Sequence, residues 1–255
     1  YLMANKYNQK EKTSPAVNEQ FSEKCVTEIR RKLHNASQKN TADQIRKSVN
    51  EDIDCYGVTT TDTHKIGLDA VRKLRAEGLS QTIHIADALF QSLKYEEALI
   101  GGQLVGALAR LISASDFENI SPWVDLVNSP RTADSFAINC ISPCLAAKPS
   151  LVKTMREWAR SDNASKRRSS ISSFNPLVRE GRFLTDALEV AAILMKDNNA
   201  DVQRGVGTML LEATRLQAGR VIEFLEEWKG YSSPNIFQIA TSKLRPDQRS
   251  KLLNV

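Results

Sequence analysis

From Val17 onward, apolar residues recur at intervals of three and four, and no segment keeps the strict alternation of a half-buried strand. The spacing predicts helices over residues 16–36, 40–49, 62–77, 80–93, 95–113, 121–128, 131–147, 150–161, 164–179, 183–196, 200–216, 218–229, 233–243 and 246–253. Breaks between them are short and carry Gly, Pro, Asn or Asp, as at Gly78, Pro130, Pro149, Gly181 and Asn198–Asn199. Turns this short fold consecutive helices antiparallel. The expected fold is all-α, with residues 16–255 as one domain behind a polar tail, 1–15.

Two breaks look alike. "ARSDNASKRRS" and "LMKDNNADVQRGV" each have a base, Asp and Asn, then an Arg in the next helix. Asp162 and Asp197 are 35 residues apart, Arg168 and Arg204 are 36. A period of one helix pair near this length marks an α-solenoid of the HEAT class, which curves and presents a concave face. The acid has a structural use in such a repeat: it can bond helix-end amides or a base of the adjacent repeat. Within 200–216, Val202, Val206, Met209, Leu210 and Ala213 form the core stripe. Arg204, Thr208, Leu211 and Arg215 follow the same spacing on the opposite, exposed side. In 164–179 the core stripe is Ala164, Ile171, Asn175 and Val178, with Arg167 and Arg168 on its borders; at least one of that pair must lie against neighbouring helices.

Hydrophobic content of 41% and charged content of 25% fit a soluble globular chain. No apolar run reaches the roughly 18 residues of a membrane span, and residues 1–15 have no apolar signal core. The net charge of +5 is unevenly spread. Residues 148–182 hold nine Lys or Arg against three acids, so this stretch alone carries +6. A concentrated patch points to a polyanion. Cys25, Cys55, Cys140 and Cys144 do not make a disulfide framework in a chain this long. Two thiols at 140 and 144 fall short of zinc's usual four ligands. Buried, reduced thiols in a cytoplasmic protein are expected, with no metal or cofactor.

"SDNASKRRSSISSF", 161–174, puts Lys166, Arg167 and Arg168 in the first turns of a helix, where the partial positive charge of the N-terminus favours acids. Arginine forks, helix-end amides and the hydroxyls of Ser165, Ser169 and Ser170 together suit a phosphodiester. In "SPWVDLV", 121–127, Ser121 suits an N-cap, Pro122 the first helical position and Asp125 the first turn. Asp125 also stands among Trp123, Val124, Leu126 and Val127, where a carboxylate beside apolar walls can stabilise a developing cation or position a water. "YGVTTTDTHK", 56–65, reads as a turn and a Thr-capped helix, and Trp158 as core packing. His34, His64 and His84 form no constellation with a nucleophile, and no phosphate-binding Gly loop is present.

"YGVTTTDTHKIGLDAVRKL", "PWVDLV", "REWARSDNASKRR", "VQRGVGTMLLEATR" and "IATSKLRPDQR" resemble the AlkD-type DNA glycosylases, the DNA alkylation repair proteins built from HEAT-like repeats. The resemblance implies a C-shaped solenoid whose basic concave face grips duplex DNA as a monomer. It also implies hydrolysis of the N-glycosidic bond of N3- and N7-alkylated purines, without metal or cofactor. The family's catalytic carboxylate falls on Asp125 and its phosphate-binding arginine on Arg168. Arg167, Lys166, Arg204, Thr208, Arg215 and Trp123 complete the expected DNA-binding set. Where the family has a Trp four residues before the Asp, this chain has Ser121. Where the family has Gly-Trp-x-Leu-Arg-Glu, it reads Gly207-Thr208-Met209-Leu210-Leu211-Glu212. The acid and the phosphate clamp are kept and the aromatic walls are absent. A glycosylase is therefore one expectation, a non-catalytic reader of DNA structure or damage a second, and a protein-interaction scaffold a third.

Overall fold

The computed structural model describes residues 17–49 and 52–253; the tail at 1–15 lies outside them. The helices are α1 (Glu19–Ala36), α2 (Lys39–Ser48), α3 (Thr60–Leu74), α4 (Gly78–Gln91), α5 (Tyr95–Gly106), α6 (Phe117–Ile120), α7 (Pro130–Phe136), α8 (Ser142–Ala147), α9 (Val152–Trp158), α10 (Ala164–Ser172), α11 (Asn175–Arg179), α12 (Leu184–Leu194), α13 (Ala200–Trp228), α14 (Pro234–Ala240) and α15 (Pro246–Leu253). No strand occurs among the described residues.

Two layers follow from which helices touch. One runs α3, α5, α7, α10, the first limb of α13, then α14, each against the next. The other holds α1, α4, α6, α9, α12 and the second limb of α13, and packs back onto the first. Between them a continuous core includes Phe90, Trp123, Phe136, Phe174, Met209 and Leu225, and a second core under α1 and α3 centres on Leu33, Leu74 and Ile100. The chain is an α-solenoid of helix pairs.

Several predicted helices are re-divided, each for a local reason. α13 bends at Gln217, whose φ of −133° and ψ of 44° lie outside the helix, so the expected break between 216 and 218 is real. The predicted helix 164–179 is two, α10 and α11, with Pro176 at the head of the second. Ser121 is no N-cap: residues 121–125 form a 3-10 turn that continues α6, and Ile120 precedes it without a side-chain cap. The predicted helix 131–147 runs on from Pro130, but Ala137–Ile141 is a π-turn. Pro143 follows it, and a proline there has no N–H for the carbonyl of Asn139; the wider turn accommodates this.

The repeat is written in hydrogen bonds. Ser161, Asp197 and Ser233, spaced by 36 residues, each accept from the backbone N–H two residues on, at Asn163, Asn199 and Asn235. Asn163 then caps α10 through the amides of Ser165 and Lys166, and Asn199 caps α13 through those of Asp201 and Val202. The equivalent of Asp197 is therefore Ser161, one residue before the Asp162 expected from the sequence. Arg167 and Gln203, also 36 apart, both donate to the carbonyl at the start of this turn, on Ser161 and Asp197.

Candidate nucleic-acid interface

The cations of residues 161–174 are held inside the chain. Lys166 Nζ lies 2.9 and 3.1 Å from the two oxygens of Asp125 and over the Trp158 ring. Arg167 donates to Asp197 from Nε at 2.6 Å and from Nη2 at 3.2 Å. Arg168, 8% exposed, makes a bidentate pair with Asp134 at 2.8 and 2.6 Å, and its Nη1 donates to the backbone carbonyl of Asp201. The amides of Ser165 and Lys166 are taken by Asn163. Ser169 and Ser170 donate to the carbonyls of Ala133 and Arg167. Both border arginines thus lie against neighbouring helices, and the stretch joins consecutive helix pairs. The acids that neutralise it come from other elements, which is why the local charge count gave no sign of them.

The predicted site around Asp125 is arranged differently from expectation. Trp123 is 1% exposed; its ring stacks on Phe90 at 4.7 Å and its N–H donates to Asp87 at 2.7 Å. It belongs to the core and presents no face to a ligand, which corrects its place in the DNA-binding set. Asp125 turns the other way, with 60% of its side chain exposed under the Lys166 ammonium. It is not walled by its apolar sequence neighbours: on a tight turn they point inward while it points out.

The stripe on α13 is where the spacing puts it. Val202, Val206, Met209, Leu210 and Ala213 are buried, while Arg204 and Arg215 are exposed and Thr208 half-buried. Arg204 pairs with Asp201, and Arg215 with Glu212 at 3.0 Å. Thr208 donates to the carbonyl of Arg204. Gly207 brings α13 close to α14, since a Cβ there would sit 2.8 Å from that of Ile239.

Two residues that the sequence does not single out, Arg131 and Asp134, occupy a wide open groove. It crosses α3, α5 and α7, measures about 640 Å³, and is lined by Thr60, Thr63, His64, Gln103, Arg131, Asp134, Ser135 and Asn139 among others. Asp134 also accepts from Ser172 at 2.7 Å, so Arg168 and Ser172 hold it in the groove wall. From there Arg168 donates to the backbone carbonyl of Asp201, whose carboxylate pairs with Arg204, so the groove wall is tied to the α13 stripe through that residue. Arg131 lies at the head of α7 and donates to Thr60 Oγ1 at 2.8 Å. Neither residue falls in a charge run or a motif; only the packing of α3, α5, α7 and α10 assembles them.

Cys140 and Cys144 are fully buried, and the Cys144 thiol contacts the Cys140 carbonyl at 3.2 Å. Burial pushes both thiols up, Cys144 to about 12. Among the described residues no three His, Cys, Asp or Glu side chains gather as metal ligands, and no helix is long and apolar enough to cross a membrane.

An α-solenoid with an open groove of mixed apolar and polar lining along one layer is the class that fold and site define. Residues 29–244 match the sequence profile of the family described as DNA alkylation repair enzyme, and the chain belongs to that family. A solved structure from Enterococcus faecalis, described as a predicted DNA alkylation repair enzyme, superposes with a TM-score of 0.70 at 12% identity, over 82% of this chain and 97% of that one. The smu.31 protein of Streptococcus mutans UA159 superposes with a TM-score of 0.52 at 19% identity, over 70% and 90%. Among curated proteins none matches. Identities this low speak to the fold alone.

Proposed function

We propose that this chain binds duplex DNA along the groove and the α13 stripe, and that it reads DNA without cutting the N-glycosidic bond. One observation carries the second half: both oxygens of Asp125 are bridged by Lys166, in a solvent-facing position. An oxocarbenium-like sugar gains most from an uncompensated carboxylate in a dry site, and Asp125 is neither. The groove instead offers hydroxyl, amide and guanidinium groups, the usual partners of a sugar–phosphate backbone. Arg204, Thr208 and Arg215 extend that surface. Lys166, Arg167 and Arg168 serve it by joining the helix pairs that carry it.

The family's description as a repair enzyme favours a second reading, a glycosylase for N3- or N7-alkylated purines with Asp125 as electrostatic catalyst. Single-turnover release of 7-methylguanine from a defined duplex separates the two. The expected result is salt-dependent binding with no release above the spontaneous rate. Release by the wild type that is lost in Asp125→Asn would establish the glycosylase. Absence of salt-dependent duplex binding would remove both.

A further inference from the structure

We infer that Arg131, with the hydroxyls of Thr60 and Thr63, forms a phosphate-binding point in the groove that takes a phosphodiester of a DNA strand; this rests on the DNA-binding reading above. Arg131 differs from the arginines of α10 in what it is bonded to. Its guanidinium donates to Thr60 Oγ1 at 2.8 Å, a neutral acceptor. Among the described residues no carboxylate lies within ion-pair distance of it, whereas Arg167, Arg168, Arg204 and Arg215 each have one.

The groups around it are set up to donate. Two helices fix the guanidinium: its own α7 and, through Thr60, α3. Because Thr60 Oγ1 accepts from Arg131, its own proton is free for a further acceptor. Thr63, 4% exposed, has a buried hydroxyl with no partner among the described residues. Thr60, Thr63 and Arg131 line both the 640 Å³ groove and an adjoining hollow of about 360 Å³ that reaches Gln44 of α2. A strand following the layer would pass this junction. A guanidinium fork flanked by hydroxyl donors matches two phosphate oxygens and needs no other cation. Asp134, in the same groove, does not repel such a ligand with its full charge, because Arg168 is paired to it.

The test is duplex binding by fluorescence anisotropy over a KCl series, wild type beside Arg131→Gln and Thr63→Val, with melting curves to verify folding. Arg131 is exposed and Thr63→Val preserves shape, so both variants should fold. Arg131→Gln should bind about tenfold more weakly, the loss of one charge-assisted contact. It should also lower the log–log salt slope by about 0.9, one phosphate's worth. Thr63→Val should weaken binding and leave the slope alone. A wild-type slope in Arg131→Gln, with the wild type binding DNA, overturns this site and leaves the DNA reading intact. Absence of wild-type binding overturns both. Inorganic phosphate, titrated while following the Thr60 and Thr63 amide resonances, separates a free anion from a strand: shifts with phosphate but not with duplex would also overturn the inference.

Discussion

Arg167 clasps Asp197 across the boundary between consecutive helix pairs, Nε to Oδ2 at 2.6 Å and Nη2 to Oδ1 at 3.2 Å, with side chains only 18% and 7% exposed. Asp197 Oδ1 also accepts the Asn199 amide at 2.8 Å, so one carboxylate both shapes the turn and ties down the preceding repeat. Thirty-six residues on, Ser233 Oγ donates to Gln203 Oε1 at 2.9 Å in the same relationship, without charge. Asp197→Ala should therefore strand a poorly hydrated guanidinium and cost about 3 kcal/mol. Urea unfolding of Asp197→Ala, Arg167→Ala and the double variant checks it: the double should cost less than the sum of the singles.

The sequence made this joint half legible. Its two similar breaks gave a period near 36 and a role for the acid against a base of the adjacent repeat, and Asp197 plays that role. The register was out by one at the first copy because Ser161, not Asp162, bonds the turn amide. A hydroxyl and a carboxylate do the same work there, and matching acids by letter cannot reveal it. The core stripe of α13 needed only helical spacing and is buried throughout.

Gly207 and Gly219 lie on the two limbs of α13 and should respond to alanine with opposite signs. At 207 a Cβ would meet Ile239 Cβ at 2.8 Å and the Ile236 carbonyl at 3.2 Å, neither the end of a flexible side chain. Overpacking of this kind costs about 1–3 kcal/mol. At 219 nothing lies within 4 Å, and the position is exposed. Gly219→Ala should stabilise by roughly 0.5–1 kcal/mol through helix propensity. Thermal melting of the two variants side by side is the measurement; a stabilised Gly207→Ala would mean that α14 yields.

The candidate site is less legible than the fold, because clusters of bases along the chain are not clusters of unpaired charge in space. Lys166, Arg167 and Arg168 stood out by being adjacent, yet their charges are answered by Asp125, Asp197 and Asp134 from other turns and helices. Arg131 is the one base in "NSPRTADSF", and among the described residues no carboxylate pairs with it, because Arg168 takes the nearby Asp134. Trp123 is an aromatic close to an acid in sequence, but two residues on a 3-10 turn span about 240°, and the ring goes inward while Asp125 faces outward.

Glu96 should be sensitive to the loss of one oxygen. It is fully buried at the head of α5 and accepts three backbone amides, from Tyr56 at 2.9 Å on Oε2 and from Gly57 and Val58 at 2.9 and 3.0 Å on Oε1. Those bonds fix the turn that leads into α3, where Gly57 has a φ of +79°. Glu96→Gln can keep the Oε1 pair, but its NH₂ group then faces the Tyr56 N–H donor to donor. The expected cost is about 1–3 kcal/mol. Amide exchange at Tyr56 should accelerate more than at Val58, and equal acceleration at both would show the whole turn to be lost.

Alkaline pH should destabilise the fold through its buried thiols. Burial raises Cys140 and brings Cys144 to about 12, while an unfolded thiol ionises near its ordinary value of about 8.5. The stabilising contribution is therefore complete below about pH 8.5 and is lost as pH rises above it, because the unfolded chain releases protons that the folded chain keeps. Each fully protected thiol removes up to about 1.4 kcal/mol per pH unit in that window. Stability measured by urea between about pH 7 and 9.5 should fall along this slope, and Cys144→Ala should make the fall shallower although it lowers stability at neutral pH. At constant pH, thiol-reactive dye should label Cys140 and Cys144 only at the rate of unfolding, since both side chains are sealed in the core. Rapid labelling of either in the native protein would mean that the π-turn of residues 137–141 opens without global unfolding.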